Sequence, residues 1–306
     1  MVHYILRRLL MIFPTLIGIT LVSFLILQFV PGDPASVIAG GEADEETIQA
    51  VRQVLGLDKP IYVQYGVFLK NIIRGNFGES LRTKNDVVSE IWPRFVNTLQ
   101  LTLASISCSI IIGIVVGTVA ATFQNTLFDY LLMVFVLLGI STPRFWSGLI
   151  IILIFSVYLA WFPAGGAAGF SSLILPSLTL ALPSIAATAR MTRSSMLEVL
   201  RQDYIKTARA KGQKESKVIY KHALKNALIP TVTIVSMQFG HLLGGAVLVE
   251  TVFSWPGLGR LIVDAIFARD YPVVQGGVML FACSFLLVNL FVDILYTYLD
   301  PKISYE

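Results

Sequence analysis

Six apolar runs divide the chain, at roughly 9–30, 98–122, 128–160, 172–190, 230–250 and 274–298. Each is about 20 residues or longer, the length a helix needs to cross the ~30 Å hydrocarbon core of a bilayer. The first run extends from MVHYILRRLL to Val30 with no small-residue cleavage site behind it. It reads as an uncleaved span, with Arg7 and Arg8 at its inner end, rather than a signal peptide. The third run holds STPRFW at 141–146, which predicts a kink or a tilt. The fourth is interrupted by Pro176 and Pro183. Proline is tolerated in a span because neighbouring helices and side chains can satisfy the freed carbonyls.

Between the first two runs the pattern changes to polar segments with a helical period. EADEETIQAVRQVLGL opens on acids, as a helix start should, and Asp58 with Pro60 signals the start of another. GNFGES at 75–80 is turn-like. The pattern predicts an all-α polytopic membrane protein of about six spans. Residues 1–30 form a cytoplasmic N-terminus and first span, and 31–97 a small, mainly helical external domain. Residues 98–306 form a core of five spans that includes a cytoplasmic loop at 191–229.

Composition strengthens this reading. The chain is 55% hydrophobic and only 14% charged, with mean hydropathy +0.74, whereas soluble domains carry about a quarter charged residues. A net charge of +4 argues against nucleic acid as a partner. Cys108 and Cys283 both lie in apolar runs and read as small hydrophobes. With the N-terminus inside, thirteen of the twenty-three Lys and Arg residues fall on the cytoplasmic side: Arg7, Arg8, ten between Arg190 and Lys225, and Lys302. The positive-inside rule then places both termini in the cytoplasm.

The basic loop is the most informative segment. DYIKTARAKGQKESKVIYKHALKNALIP, residues 203–230, predicts a helix over 204–211 capped by Asp203 and ended by Gly212 in the left-handed conformation. A helix only ~12 Å long is marginal alone and must pack on something. Tyr204, Ile205 and Ala208 offer the surface for that. A second helix is expected from about Glu215 into Pro230. Lys214, Lys217, Lys221 and Lys225 would line one side, and Ile219, Tyr220, Ala223 and Ala227 the other. Such a lysine stripe could simply anchor to lipid headgroups. The helix–glycine–helix design with a packable first helix favours a docking element for another protein.

This segment resembles the cytoplasmic signature loop of bacterial ABC importer permeases, in the branch that imports dipeptides, oligopeptides and nickel. The general family loop begins Glu-Ala-Ala, reaches Gly six residues after the Glu, and later has Leu-Pro. Lys206 and Thr207 replace the Glu and first Ala, while Ala208 and Gly212 match. Leu224 matches the later Leu, and Lys225 stands in place of the Pro. The peptide branch is more similar, with DYxxTARAKG followed by HALxNAxIP. PGDPASVIAG, RQVLGLDKPIY, NTLQLTLA, TRSSMLEVL, GGAVLVETVFSWPGLGRLIVDAI, RDYPVVQG and NLFVDILYTYLDP extend the likeness over the whole chain. The stretch IAGGEADEETIQAVRQVLGLDKP is most similar to glutathione-importer permeases.

The resemblance implies a permease subunit in the bacterial inner membrane, paired with a second related permease and surrounded by lipid. Two ABC ATPases would drive it, and an extracytoplasmic solute-binding protein would deliver a peptide solute. Asp203, Tyr204, Ile205, Thr207, Ala208, Arg209, Lys211 and Gly212 would form the element gripped by the ATPase. The chain carries no G-x-x-x-x-G-K-[ST] phosphate loop. It is therefore expected to be no enzyme and to bind no cofactor, ATP and Mg belonging to the partner ATPases.

Within the spans, Arg144 is a costly charge that would face a cavity or a partner. Gln238 and His241 stand three apart on one helical run and could line a translocation path with it, or bond between helices. Asn289 and Asp293 share a face in the same way. Gly113 and Gly117, four apart, suit close helix contact. Three scattered histidines predict no metal site. Two rival functions make different demands on the sequence. An ion-gradient-driven secondary transporter would need paired ionisable groups and internal symmetry, which are not evident. An intramembrane hydrolase would need a nucleophile setting that no serine has.

Overall fold

The computed structural model describes residues 2–29, 34–39, 43–54 and 56–299. Lys302, both termini and most of the PGDP turn lie outside the described residues, as do the side chains of Arg7, Arg8 and Asp293. The described elements are helical: α1 Val2–Phe29, α2 Pro34–Ala39, α3 Glu45–Val54, α4 Ile61–Ile73, α5 Val87–Thr122, α6 Leu127–Ser141, α7 Arg144–Ile152, α8 Phe170–Leu200, α9 Asp203–Ala210, α10 Glu215–Lys217, α11 Leu224–Val252, α12 Leu258–Phe267 and α13 Tyr271–Leu299. Two π-helical turns, Leu153–Tyr158 and Val218–Ala223, continue α7 and join α10 to α11.

Among the described residues, four helices are long and apolar enough to cross a membrane. α6 and α7 together make a fifth candidate span, bent by 113° between them. This bend is the kink expected from STPRFW: Thr142 and Pro143 leave helical geometry, with ψ of 134° and 137°. In α1 the described side chains run from Leu10 to Leu25 as an apolar stretch, and counting this 28-residue helix gives the expected six. α5 begins at Val87, eleven residues before the expected second span, and carries Pro93 inside it. α8, the run interrupted by two prolines, is continuous for 31 residues through Pro176 and Pro183.

The chain divides into two compact units. One comprises residues 1–95 and 261–287. In it α4 packs on α1: the Phe24 ring lies 5.4 Å from Tyr65 and 5.7 Å from Phe68, and Thr20 shares a 2.9 Å hydrogen bond with the Tyr65 hydroxyl. α4 starts at Pro60 as its N-cap, with no side-chain cap, so the start signal lies in Pro60 rather than Asp58. Its apolar residues recur on all sides, and one side is used up on α1. The turn after α4 closes on Asp270, which accepts from the Ser80 hydroxyl at 2.5 Å and from the Leu81 amide at 3.1 Å.

The second unit comprises residues 96–260 and 288–306. α8 is its axis. Leu175, Leu180 and Thr179 on α8 are buried, as are Leu242, Ala246 and Val249 on α11. α5 approaches α8 at Gly113 and Gly117, where any Cβ would run into Thr188, Thr192 and the α8 backbone. Small hydroxyl groups fill this seam. Ser109 and Thr188 lie 3.2 Å apart and Thr192 and Thr231 3.3 Å apart, all four buried. With no hydrophobic effect acting between spans in lipid, such close approach and interhelical hydrogen bonds hold helices together.

Candidate functional site

The basic loop folds as a compact hairpin. α8 ends at Arg201, Gln202 turns the chain with extended geometry, and α9 starts on Asp203. Asp203 is thus the first helical residue rather than the cap, and its carboxylate pairs with Lys206 at 2.9 Å on the exposed surface. A negative charge in the first turn still favours the helix through its dipole. Gly212 closes the helix at φ +71°, the left-handed conformation expected of it. Arg209 reaches forward to Glu215 at 2.6 Å, bridging α9 to α10. That hydrogen bond raises the Arg209 pKa above its ordinary value. His222 and Gln213 meet at 2.8 Å across the hairpin.

The faces of α9 have separate roles. Ile205 is fully buried and Ala208 is 8% exposed, packed with Met196, Val218, Ile219, Ala223 and Ala227 of the same chain. Burying a side chain the size of Ile205 contributes about 1.5–3 kcal/mol. The close approach that Ala208 permits is therefore made to this chain itself. Asp203, Tyr204, Lys206, Thr207, Arg209 and Lys211 remain exposed. Tyr204 is held in place because its hydroxyl accepts a 2.7 Å hydrogen bond from Asn226.

The second helix of the hairpin differs from expectation. Instead of one α-helix, a π-helical turn over Val218–Ala223 inserts an extra residue per turn. The register shift puts Val218 and Ile219 both inside and turns Tyr220 outward at 62% exposure. Lys214, Lys217, Lys221 and Lys225 stay exposed. α11 then runs on through Pro230 into the membrane segment.

The three residues expected to line a path separate into two settings. Gln238 is buried and accepts from Ser109 at 3.4 Å, its amide lying 3.5 Å from Thr188, so it belongs to the seam of α5, α8 and α11. His241, one turn later, is exposed. Arg144, half-buried, is the first residue of α7 after the bend, and its guanidinium lies against Gly245 of α11.

The family described as binding-protein-dependent transport system inner membrane component matches residues 113–305, and its N-terminal membrane component matches 1–102. The chain belongs to this family. As an inner-membrane component it is 46% identical to the dipeptide transport system permease protein of Alkalihalophilus pseudofirmus, over all of both chains. It is 47% identical to the glutathione transport system permease protein of Escherichia coli K12, again over all of both chains. Among solved structures, one of the methionine ABC transporter in inward-facing conformations matches with TM-score 0.57 at 19% identity. That match covers 70% of this chain and 96% of the other. An amino acid ABC transporter matches with TM-score 0.51 at 13% identity, over 66% and 91%. These two likenesses show the importer-permease fold.

One residue of this inner-membrane component escaped the sequence reading. Glu250, near the end of α11, is fully buried. Its carboxylate accepts from the Thr98 hydroxyl at 2.5 Å and from the Arg260 amide at 3.0 Å, with the Gly259 amide also donating. Thr98 in turn accepts from the Leu258 amide at 2.8 Å. Gly257 and Gly259 leave no room for a Cβ beside the carboxylate. Glu250 thereby pins the SWPGLGR turn and the start of α12 against α5. A glutamate closing an apolar run reads in sequence as an interfacial residue, and its partners are distant residues and backbone amides.

Proposed function

We propose that this chain is one permease subunit of an ATP-driven importer of dipeptides, oligopeptides or glutathione, and that α9 is the element gripped by an ATPase partner. Residues 1–30 form the cytoplasmic N-terminus and first span, 31–97 the external portion, and 98–306 the core with its cytoplasmic loop at 191–229. Both termini lie in the cytoplasm. A second, related permease completes the pathway, two ATPases hold the ATP and Mg, and an extracytoplasmic binding protein delivers the peptide. The chain itself is a transport subunit and catalyses nothing.

One observation carries the reading. α9 is fixed to its own chain by Ile205 and Ala208 while Tyr204, Lys206, Thr207 and Arg209 are left uncovered. A lever must be rigid on one side and available on the other, so that a partner with two conformations can bias the spans it is joined to. Asp203, Lys211 and Gly212 shape its two ends. Full-length identity with dipeptide and glutathione permeases supports the solute class.

The test uses the complete transporter with its binding protein. A photo-crosslinker at Thr207 should capture an ATPase subunit. Thr207→Trp, which adds bulk only on the uncovered face, should depress solute-stimulated ATP hydrolysis and uptake together while the chain stays folded. Capture of lipid alone, with undiminished hydrolysis in Thr207→Trp, rules out the coupling role.

A further inference from the structure

Arg144 is a cation at the break of a candidate membrane span. Among the described residues it makes neither a hydrogen bond nor an ion pair. A guanidinium stays charged in any protein environment, so burial cannot neutralise it. Charges at membrane depth are expensive and persist where they face a cavity or engage a partner.

The chain also makes room for it. An added Cβ at Gly245 would overlap the Nη1 and Cζ atoms of Arg144, so the notch in α11 exists only because residue 245 is glycine. Gly244 beside it faces open space. His241 lies one turn earlier on the same side of α11 as Gly245 and is exposed. On α7 the side chain leaves from the first residue after the 113° break, where the chain departs from the α6 axis.

Two counts of helix length lead to this point. α6 supplies 15 residues before the break, about 22 Å of helix. The path along α11 from Pro230 to Gly245 is also about 22 Å. Arg144 and its notch thus lie about 22 Å of helix beyond the starts of both runs, where α6 breaks and α11 carries its glycine pair.

We propose that Arg144, seated in the Gly245 notch one helical turn from His241 on α11, is a specificity-determining residue that binds a carboxylate of the passing solute. The planar fork of the guanidinium matches a carboxylate with two parallel hydrogen bonds. Peptides and glutathione carry such a group at one end, and a half-buried fork offers a transient binding point for it during transit. This assignment rests on the peptide-importer reading and narrows it to one contact.

The experiment compares uptake of a dipeptide with uptake of its C-terminal amide by the complete transporter in proteoliposomes. Wild type and variants share one binding protein, so its own preference cancels. Loss of a charged hydrogen bond of this kind corresponds to about tenfold or more. Arg144→Gln should therefore lower the acid-over-amide preference by about tenfold, and Arg144→Lys by less. Gly245→Ala, which displaces the guanidinium without touching its charge, should lower the preference in the same direction. An unchanged preference in Arg144→Gln and Gly245→Ala, or equal slowing of both solutes, overturns the carboxylate site and leaves the importer reading standing. If the wild-type transporter takes up neither form of the dipeptide, nor an oligopeptide, nor glutathione, the importer reading falls as well.

Discussion

Arg193 on α8 grips Asp129 at the start of α6 through a two-pronged contact, Nε to Oδ1 at 2.8 Å and Nη2 to Oδ2 at 2.7 Å. The Asp129 side chain is 1% exposed and that of Arg193 25%. The same carboxylate accepts from the Asn125 amide at 3.1 Å, so the turn between α5 and α6 is fastened to α8 at a single point. Removing one partner of a buried pair is costly because the other charge is left stranded. The partial exposure of Arg193 moderates that cost. Asp129→Ala should therefore destabilise the chain by about 2–3 kcal/mol, read as a drop in thermal unfolding temperature in detergent. Asp129→Leu combined with Arg193→Met should recover much of the loss. A double variant as unstable as the sum of the singles argues against the pair.

The contact of α5 with α8 depends on two missing side chains. At Gly113 a Cβ would stand 2.6 Å from the Thr188 Cβ, and at Gly117 it would meet the Ala189 carbonyl and the Thr192 Cβ. Neither backbone carbonyl nor β-branched threonine can move aside cheaply. Gly117→Ala should cost about 1–3 kcal/mol, in the range of overpacked cores. Gly139→Ala is the control, because its nearest neighbour there, the Leu182 carbonyl, lies at 3.4 Å. Thermal unfolding of the two variants should separate them clearly, and equal stability would contradict the close packing.

On α9 the inward and outward faces should respond differently. Ile205→Ala opens a void in a fully buried position and should cost about 2–5 kcal/mol, lost locally as fraying of the hairpin. Tyr204→Phe removes only the hydrogen bond from Asn226 at an exposed site and should cost about 0.5–1.5 kcal/mol. Hydrogen exchange of the 203–223 amides is the measurement. Ile205→Ala should accelerate exchange throughout the segment and Tyr204→Phe only near residue 204. Uniform protection in Ile205→Ala would show that α9 is held by something other than its buried face.

Local signals were the ones that sequence conveyed. The α9 helix and its glycine stop were legible because a first-turn acid, a helix-forming run and a left-handed glycine act within a few residues of one another. The break at Thr142–Pro143 was legible for the same reason. The π-helical turn was not: lysines at 214, 217, 221 and 225 keep helical spacing on either side of an inserted residue, so periodicity alone placed Tyr220 inside. The continuity of α8 is not legible from its own residues, because Pro176 and Pro183 count against a helix in isolation. In the structure it is flanked by α5, α6, α7 and α11, where tertiary packing outweighs propensity. Gln238 was legible as polar within a span, but only the positions of Ser109 and Thr188 assign it to the helix seam. The Gly245 notch could not be read at all, since it requires knowing that Arg144 reaches α11.

Glu250 offers the sharpest separation of charge from shape. Its carboxylate serves three donors at once: the Thr98 hydroxyl and the backbone amides of Gly259 and Arg260. A carboxylate at the start of α12 also meets the positive end of that helix dipole. Glu250→Gln keeps the volume but replaces one acceptor oxygen with a donor NH2, which would face an N–H or O–H group. Glu250→Ala empties the site and strands every donor, each costing about 1–3 kcal/mol when buried and unsatisfied. Glu250→Ala should therefore be the more destabilising of the two, and Thr98→Val should reproduce part of its effect because the Leu258 amide also loses its acceptor. The local readout is labelling of a cysteine introduced at Leu258, which is fully buried in the native turn. A slow rate with Glu250 intact, a faster one in Glu250→Gln and the fastest in Glu250→Ala is the expected order. Identical labelling in all three would mean that the SWPGLGR turn is fixed by Trp255, whose indole donates to the Asn97 carbonyl at 3.1 Å, rather than by the buried acid.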